Sequence, residues 1–119
     1  MDKLFIIVTH AEDNPELATM PMLMAVTATA SEMYPVVLLQ SMAVHMATKG
    51  YAEKVHETFF PPMDELLNAF LEGKGKLLVC EPCMKKRGIA KEDLIDGAIV
   101  ANAPTIIKEI ADAKNVISY

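Results

Sequence analysis

Two cysteines close together in the chain are the residues best suited to chemistry. Cys80 ends the apolar run KLLVC, and Cys83 follows three residues later in CEPC. If that run is a strand and a helix begins at Glu81, the helix dipole and free backbone N–H groups lower the pKa of the Cys80 thiol. A thiolate is the form that attacks a sulfane sulfur or a disulfide. We therefore predict that Cys80 is a nucleophile; the alternative is a buried structural cysteine.

Cys83 has two interpretations. Residues three apart on a helix share a face, so one thiol could attack a substrate while the other resolves a transient disulfide. Pro82 lies between the cysteines and restrains the turn. The alternative is that Cys83 only packs against its neighbours. A close pair of this kind does not indicate a disulfide scaffold, and in a reducing compartment it is typical of redox, sulfur or metal chemistry.

Two histidines are candidate binding residues near the same thiols. His10 follows the first predicted strand, and His45 follows the second, so His45 could approach Cys80 as a base or as an anion partner. The alternative is an ordinary loop histidine. Neither has the spacing of a zinc ligand, and a structural zinc site needs about four ligands. We predict no metal site and no cofactor.

A single basic run follows the cysteines. Lys85, Lys86 and Arg87 would add positive potential within two helical turns of Cys80, so we count Lys85 and Arg87 among the binding residues. Arg87 has an alternative, structural role in an ion pair with Glu92 or Asp93. Nucleic-acid binding needs several clustered cations, and no second cluster is present. Of the anionic ligands, this single basic run could bind only a small molecule.

The elements that must position these residues alternate between apolar runs and mixed segments. Strands are predicted at residues 3–9, 36–40, 76–80, 98–101 and 116–119, the last at a sheet edge. Helices are predicted from Thr19, as N-cap, to about Met33, over 63–72, from Glu81 to before Gly88, and over 104–113. Tyr34-Pro35 is expected to end the first helix. The 41–48 segment is predicted as a loop or loose helix.

This alternation predicts an α/β fold, a three-layer α/β/α sandwich with a five-stranded, mostly parallel sheet. In such sheets, ligands and reactive groups lie outside the carboxyl ends of the strands. We therefore expect His10, the 41–48 segment and Cys80 to lie along one edge of the molecule.

Length and composition bound the remaining possibilities. The 119 residues predict one domain over 1–119, and the net charge is −5. Hydrophobic residues make up 52% of the chain and the mean hydropathy is +0.25, so we expect apolar surface to be covered in a homo-oligomer. The first apolar run is too short for a signal peptide, and no run is long enough to span a membrane. We expect a cytoplasmic protein.

The block CEPCMKKRGIAKEDLIDGAIV resembles the signature of the DsrE/DsrF-like proteins. In that signature a strand ends in cysteine, arginine and glycine follow at the seventh and eighth positions beyond it, and an acidic turn leads to a glycine. Here these residues are Cys80, Arg87, Gly88, Asp93 and Gly97. The start of the chain is similar to the family's first strand, loop and helix, and the middle resembles a subgroup that carries C-x-x-C.

The resemblance implies a three-layer α/β/α fold with five parallel strands, commonly in homotrimers or hexamers. Members such as DsrE and the TusD-like proteins are sulfur carriers whose cysteine takes sulfur as a persulfide and passes it to a partner protein. Cys80 matches that cysteine, whereas Cys83 matches only the C-x-x-C subgroup. We therefore expect sulfur transfer through Cys80, either as a carrier or with turnover. Two alternatives stay open, a dithiol redox protein that uses Cys80 and Cys83 and a non-catalytic oligomeric binding module.

Overall fold

The apolar runs form a five-stranded sheet in the computed structural model, which describes residues 1–119. The strands are β1 (Asp2–Val8), β2 (Met33–Leu39), β3 (Lys76–Cys80), β4 (Ala98–Ala101) and β5 (Asn115–Ser118). They pair in the order β4-β3-β2-β1-β5, and every pairing is parallel. The predicted fold class is confirmed, with β5 at an edge as expected.

Four α-helices connect the strands, namely α1 (Pro15–Thr29), α2 (Met63–Glu72), α3 (Glu81–Lys86) and α4 (Ala103–Ala111). The chain moves from β1 to β4 in one direction across the sheet, so right-handed connections put α1, α2 and α3 on one face. The α4 connection returns from β4 to β5, so it covers the opposite face. Helices therefore form a layer on each side of the sheet. None of these helices has both the length and the apolar character that crossing a membrane requires.

The middle strands are buried because helices cover both of their faces. Residues 36–39 of β2 and 77–79 of β3 are completely inaccessible to solvent. These residues belong to a single cluster of 28 buried apolar residues. Strands buried on both faces read as continuous apolar runs, which is why the sequence located β3 at its observed bounds. The carboxyl end of β3 is thus fixed within the best-packed part of the molecule.

The first helix differs from its prediction at both ends. Asn14, and not Thr19, is the N-cap, since its side-chain oxygen accepts a hydrogen bond from the Leu17 N–H at 3.2 Å. Asparagine before a proline at the first helical position is a favoured start, and Thr19 is instead buried within the helix. The helix also ends earlier, at Thr29.

Tyr34-Pro35 lies inside β2 and does not end α1. A turn between α1 and β2 comes before it, and Glu32 adopts a left-handed conformation there, with φ of 59°. The chain has therefore already reversed when it reaches Pro35, which pairs in the sheet with Leu4. The segment predicted as a loop or loose helix after β2 forms a 3₁₀ helix over Ser41–Ala47.

An ion cluster fastens α4 to the amino-terminal end of the sheet. Glu109 of α4 accepts hydrogen bonds from the ammonium groups of Lys3 on β1, at 2.8 Å, and Lys76 on β3, at 2.5 Å. Its side chain is only 12% exposed. Burial by itself would raise the pKa of Glu109, but the hydrogen bonds and charges of the two lysines outweigh burial and lower it. The same hydrogen bond raises the pKa of Lys3.

We predict that Glu109→Gln lowers the free energy of unfolding at neutral pH by about 1–2 kcal/mol, because two charge-assisted hydrogen bonds lose their acceptor charge at a partly solvated site. A carboxylate whose pKa is depressed by folding contributes stability above its unfolded pKa of about 4.3, and this contribution is lost as the pH falls through the folded value. The difference between the two proteins should therefore shrink below about pH 4.3.

Urea unfolding of both proteins from neutral to acid pH measures this difference. Glu72→Gln makes the same chemical change at an exposed position on α2 and should leave stability almost unaltered. A Glu109→Gln deficit that stayed constant down to acid pH would contradict an ionic role for the cluster.

Candidate functional site

The two cysteines meet at the carboxyl end of β3. Cys80 is the last residue of β3 and the N-cap residue of α3, and Cys83 lies in the first turn of that helix. Both thiols are free. Cys80 is only 5% exposed, whereas Cys83 is half-buried, so a reagent in solution meets Cys83 first. The structure therefore brings the two predicted nucleophiles together, with Cys80 more deeply buried than Cys83.

The pKa of Cys80 is raised, which is the opposite of the predicted direction. Burial is the largest cause, and the contact with the Cys83 thiol raises the pKa further. The nearby Cys83 backbone N–H and Gln40 side chain favour the thiolate of Cys80 and partly offset these effects on its pKa. The prediction was wrong because α3 has only six residues and its first turn buries the thiol instead of exposing it to solvent and cations.

The basic residues lie away from the thiols. Lys85 is exposed, and its ammonium group is 4.0 Å from a carboxylate oxygen of Glu81. Arg87 turns back along its own helix, where Nη1 donates a hydrogen bond to the Cys83 carbonyl oxygen at 3.2 Å. The alternative ion pair of Arg87 with the acidic turn does not form, and the Asp93 carboxylate accepts the Ala90 N–H instead. Arg87 therefore supports the turn that carries Cys83.

Two residues that the sequence did not single out complete the site from β2. The Ser41 N–H donates a hydrogen bond to Cys83 Sγ at 3.3 Å, and the Gln40 side chain lowers the pKa of Cys80 and so opposes the effect of burial. Ser41 has a φ of 52°, a left-handed conformation that costs a non-glycine residue about 1–3 kcal/mol. The strained backbone thus directs a donor at a sulfur atom. Only the place of these residues, at the end of the strand predicted at 36–40, could have pointed to them.

The predicted histidines form a separate group, which lies like the cysteines at the carboxyl ends of the strands. The His45 ring stacks on Tyr51 with ring centres 5.3 Å apart, and His10 Nδ1 lies 2.8 Å from a carboxylate oxygen of Asp13. Burial raises the pKa of Tyr51, and the charges of Glu12 and Asp13 raise it further. Neither imidazole hydrogen-bonds to a cysteine. Their role in binding a ligand stays a prediction.

A groove opens beside the cysteines, between α3 and the edge strand β4. Its volume is about 330 Å³, and it is lined by Glu81, Met84, Lys85, Ile89, Lys91 and Val100. We call it the α3–β4 groove. Glu81 directly follows Cys80, and Met84 directly follows Cys83, so the groove and the thiol pair share one short helix. No group of three or more acidic, histidine or cysteine side chains is arranged to hold a metal ion.

Comparison with solved structures supports the assigned architecture. The YchN protein of E. coli superposes with a TM-score of 0.85, at 20% identity and over the full length of both chains. The protein of unknown function BT1422 from Bacteroides thetaiotaomicron superposes with a TM-score of 0.72, at 16% identity, over 99% of this chain and 95% of its own. At these identities the likeness concerns the fold alone.

Sequence comparison gives the relationship. The uncharacterized protein MJ0989 of Methanocaldococcus jannaschii is 30% identical over 98% of this chain and 99% of its own. The uncharacterized protein MJ0760 of the same organism is 32% identical over 93% of this chain, which spans only 40% of that longer protein. The sequence model of the DsrE/DsrF-like family matches residues 2–119. The chain belongs to the DsrE/DsrF-like family.

Proposed function

We propose that this protein transfers sulfur, with Cys80 holding sulfane sulfur as a persulfide before passing it to a partner protein. Sulfur relay is the activity generally associated with this family. The observation that carries the proposal is the contact between the two thiols, in which the accessible Cys83 receives a backbone hydrogen bond and Cys80 lies behind it. Such a pair can move a sulfur atom from solvent into a protected position.

Cys83 performs the first step. Its thiolate attacks the sulfane sulfur of a donor, a new S–S bond forms on Cys83, and the donor leaves as a thiolate. The Ser41 N–H donates a hydrogen bond to the Cys83 sulfur and holds it in place for the attack. Half-burial leaves that sulfur open to the donor.

Cys80 performs the second step. After its proton is lost to solvent, its sulfur attacks the terminal sulfur of the Cys83 persulfide, and Cys83 leaves as a thiolate. A thiol with a raised pKa is the stronger intrinsic nucleophile, and a stabilised thiolate is the better leaving group. The raised pKa of Cys80 and the Ser41 hydrogen bond therefore favour transfer from Cys83 to Cys80. A partner's thiol then takes the sulfur from Cys80 by the same exchange.

A dithiol reaction is the second candidate, and the same contact between the thiols favours it. If Cys80 attacks the inner sulfur of the Cys83 persulfide, a Cys80–Cys83 disulfide forms and hydrosulfide leaves. The sulfane sulfur is then reduced, the two thiols are oxidised, and an external dithiol must restore them. Products distinguish this candidate from sulfur carriage.

We predict that inorganic polysulfide adds about 32 Da per sulfur to the protein, and that the persulfide is found on Cys80. Because the chain has only two cysteines, serine variants assign the site. Cys83→Ser should load at least about tenfold more slowly, because the accessible thiol with the backbone donor is gone. Intact-mass spectrometry after alkylation, with peptide mapping, measures the adduct.

The Cys80→Ser variant is the matched control, and it should stop with sulfur on Cys83. A wild-type protein that takes up no sulfur, or sulfur that remains in a variant lacking both cysteines, would sink the proposal. Loss of about 2 Da together with free sulfide would favour the dithiol reaction over carriage.

We predict that alkylation of the two thiols differs in rate and in pH dependence. Cys83 should react with iodoacetamide first because it is more exposed. The reaction of Cys80 should rise with pH to a midpoint above the usual thiol value of about 8.5, since burial opposes its ionisation. Peptide mapping of partially alkylated protein separates the two rates. A Cys80 midpoint below neutral pH would contradict the assigned order of reaction.

We predict that Ser41 acts through its backbone, as a positioning residue. Ser41→Gly keeps the N–H and suits the left-handed conformation, so sulfur loading should stay close to that of the wild type. Ser41→Val also keeps the N–H, but a β-branched residue strongly disfavours this conformation and should slow loading several-fold. Loading rates at several pH values, beside thermal unfolding of each variant, distinguish a misdirected donor from a general loss of stability. Equal loading by both variants would remove Ser41 from the mechanism.

A further inference from the structure

Phe59 is held fully exposed at the apex of a braced loop. Its side chain is 101% accessible, and its backbone has a left-handed φ of 72°. We call residues 55–63 the Phe59 loop. Both ends are buried, at Val55 and Met63, and are joined by a hydrogen bond from the Met63 N–H to the Val55 carbonyl at 3.0 Å. Across the loop, His56 Nε2 donates to the Phe60 carbonyl at 2.9 Å.

This arrangement is unfavourable for an isolated chain. The Phe59 side chain gains nothing from burial, and left-handed backbone is strained for a bulky residue. Aromatic side chains presented on a rigid backbone are typical anchors of protein interfaces, because little conformational freedom is lost on binding. The Phe59 loop therefore has the properties of a preformed contact element.

The α3–β4 groove has the size and chemistry to receive such an anchor. Its volume of about 330 Å³ exceeds the ~150 Å³ in which a benzene ring fits. Met84, Ile89 and Val100 provide an apolar lining. Lys85 and Lys91 outnumber the one acidic residue, Glu81, so the polar part of the groove carries a net positive charge. The phenyl ring of Phe59 can occupy the apolar part of the groove while the carboxylate of Glu57 lies near the basic part.

Charge distinguishes this groove from the other cavity of the molecule. The second cavity, of about 190 Å³, is lined by the carboxylates of Glu53 and Asp64. Glu57 lies two residues before Phe59, so docking there would bring like charges together. In the α3–β4 groove Lys85 lies 4.0 Å from the carboxylate of Glu81. Lys91 therefore remains as the cation that Glu57 would face, and the lysines of the groove outnumber its single carboxylate, which is the complementary arrangement.

We propose that the Phe59 loop of one copy docks into the α3–β4 groove of a second copy. Loop and groove are different surfaces, so the contact is head-to-tail, and it produces a closed ring if the rotation between copies closes. The docked loop would lie beside Glu81 and Met84 of the second copy. The high apolar content of the chain agrees with surface being hidden in this way. This inference stands independently of the sulfur chemistry.

Sedimentation equilibrium and native mass spectrometry at micromolar protein test the contact. The wild type should assemble, and Phe59→Ala should weaken each joint at least about 30-fold, because the anchor is removed. Ile89→Glu should have the same effect by placing a charge in the groove. Ile107→Ala removes an exposed apolar side chain from α4 and should assemble like the wild type. Circular dichroism and thermal unfolding confirm that each variant is folded.

Mixing the two defective variants gives a sharper test. Phe59→Ala retains an intact groove, and Ile89→Glu retains an intact Phe59 loop, so each pair of unlike chains in an equimolar mixture has one working contact. The mixture should form a heterodimer and nothing larger. A symmetric contact, or a contact through other surfaces, would not give this result.

Reversing the charges of the loop and the groove leaves the apolar lining untouched. It provides a second test if Ile89→Glu does not fold. Lys85→Glu with Lys91→Glu should weaken assembly, as should Glu57→Lys, and combining all three changes in one chain should restore it. A wild type that is monomeric, a Phe59→Ala variant that assembles normally, or a mixture that stays monomeric would each overturn the proposal.

Discussion

The register between β2 and β3 is the constraint on which the site depends. Leu39 pairs with Val79, so the residues that follow these two strands leave the sheet side by side. Neighbouring strands are about 4.8 Å apart, which brings the Ser41 N–H within hydrogen-bonding distance of the thiol one turn beyond β3. Because both strands are packed on both faces, a register shift would disrupt close packing against both helix layers. The core therefore fixes the spacing of the reactive atoms more firmly than any contact within the site.

Local patterns predicted most of the fold. The strands at 76–80 and 98–101 and the helix at 63–72 have their predicted bounds, because their apolar periodicity and stop signals agree. The start of the first helix was predicted at the wrong residue because the sequence contains two possible N-caps, Asn14 and Thr19. Asn14 is followed by proline, and this pair outweighed the threonine further along the chain. Tyr34-Pro35 has the local character of a helix terminator, but pairing with β1 placed it inside a strand.

The sequence predicted the position of the two cysteines but not the other features of the site, for a physical reason. Spacing alone put Cys80 and Cys83 together at the end of a strand. The direction of the Cys80 pKa depends on how deeply a six-residue helix buries its first turn, and no local pattern encodes that depth. The contribution of Ser41 comes from a residue 42 positions away from Cys83 and from a backbone angle that serine rarely adopts. The histidines share the predicted edge but belong to a neighbouring cluster.

The pairing of β5 with β1 has a consequence for how the chain is made. Leu4 pairs with Asn115, so one edge of β1 has no partner until the chain has been synthesised through β5, more than 100 residues later. During translation, β1 to β4 can associate in order, but the exposed edge of β1 remains a template for pairing with other nascent chains. The ion cluster of α4 therefore affects when β5 joins the sheet during folding as well as the stability of the folded protein. By fastening the returning helix to β1 and β3, it delivers β5 to that edge and closes it.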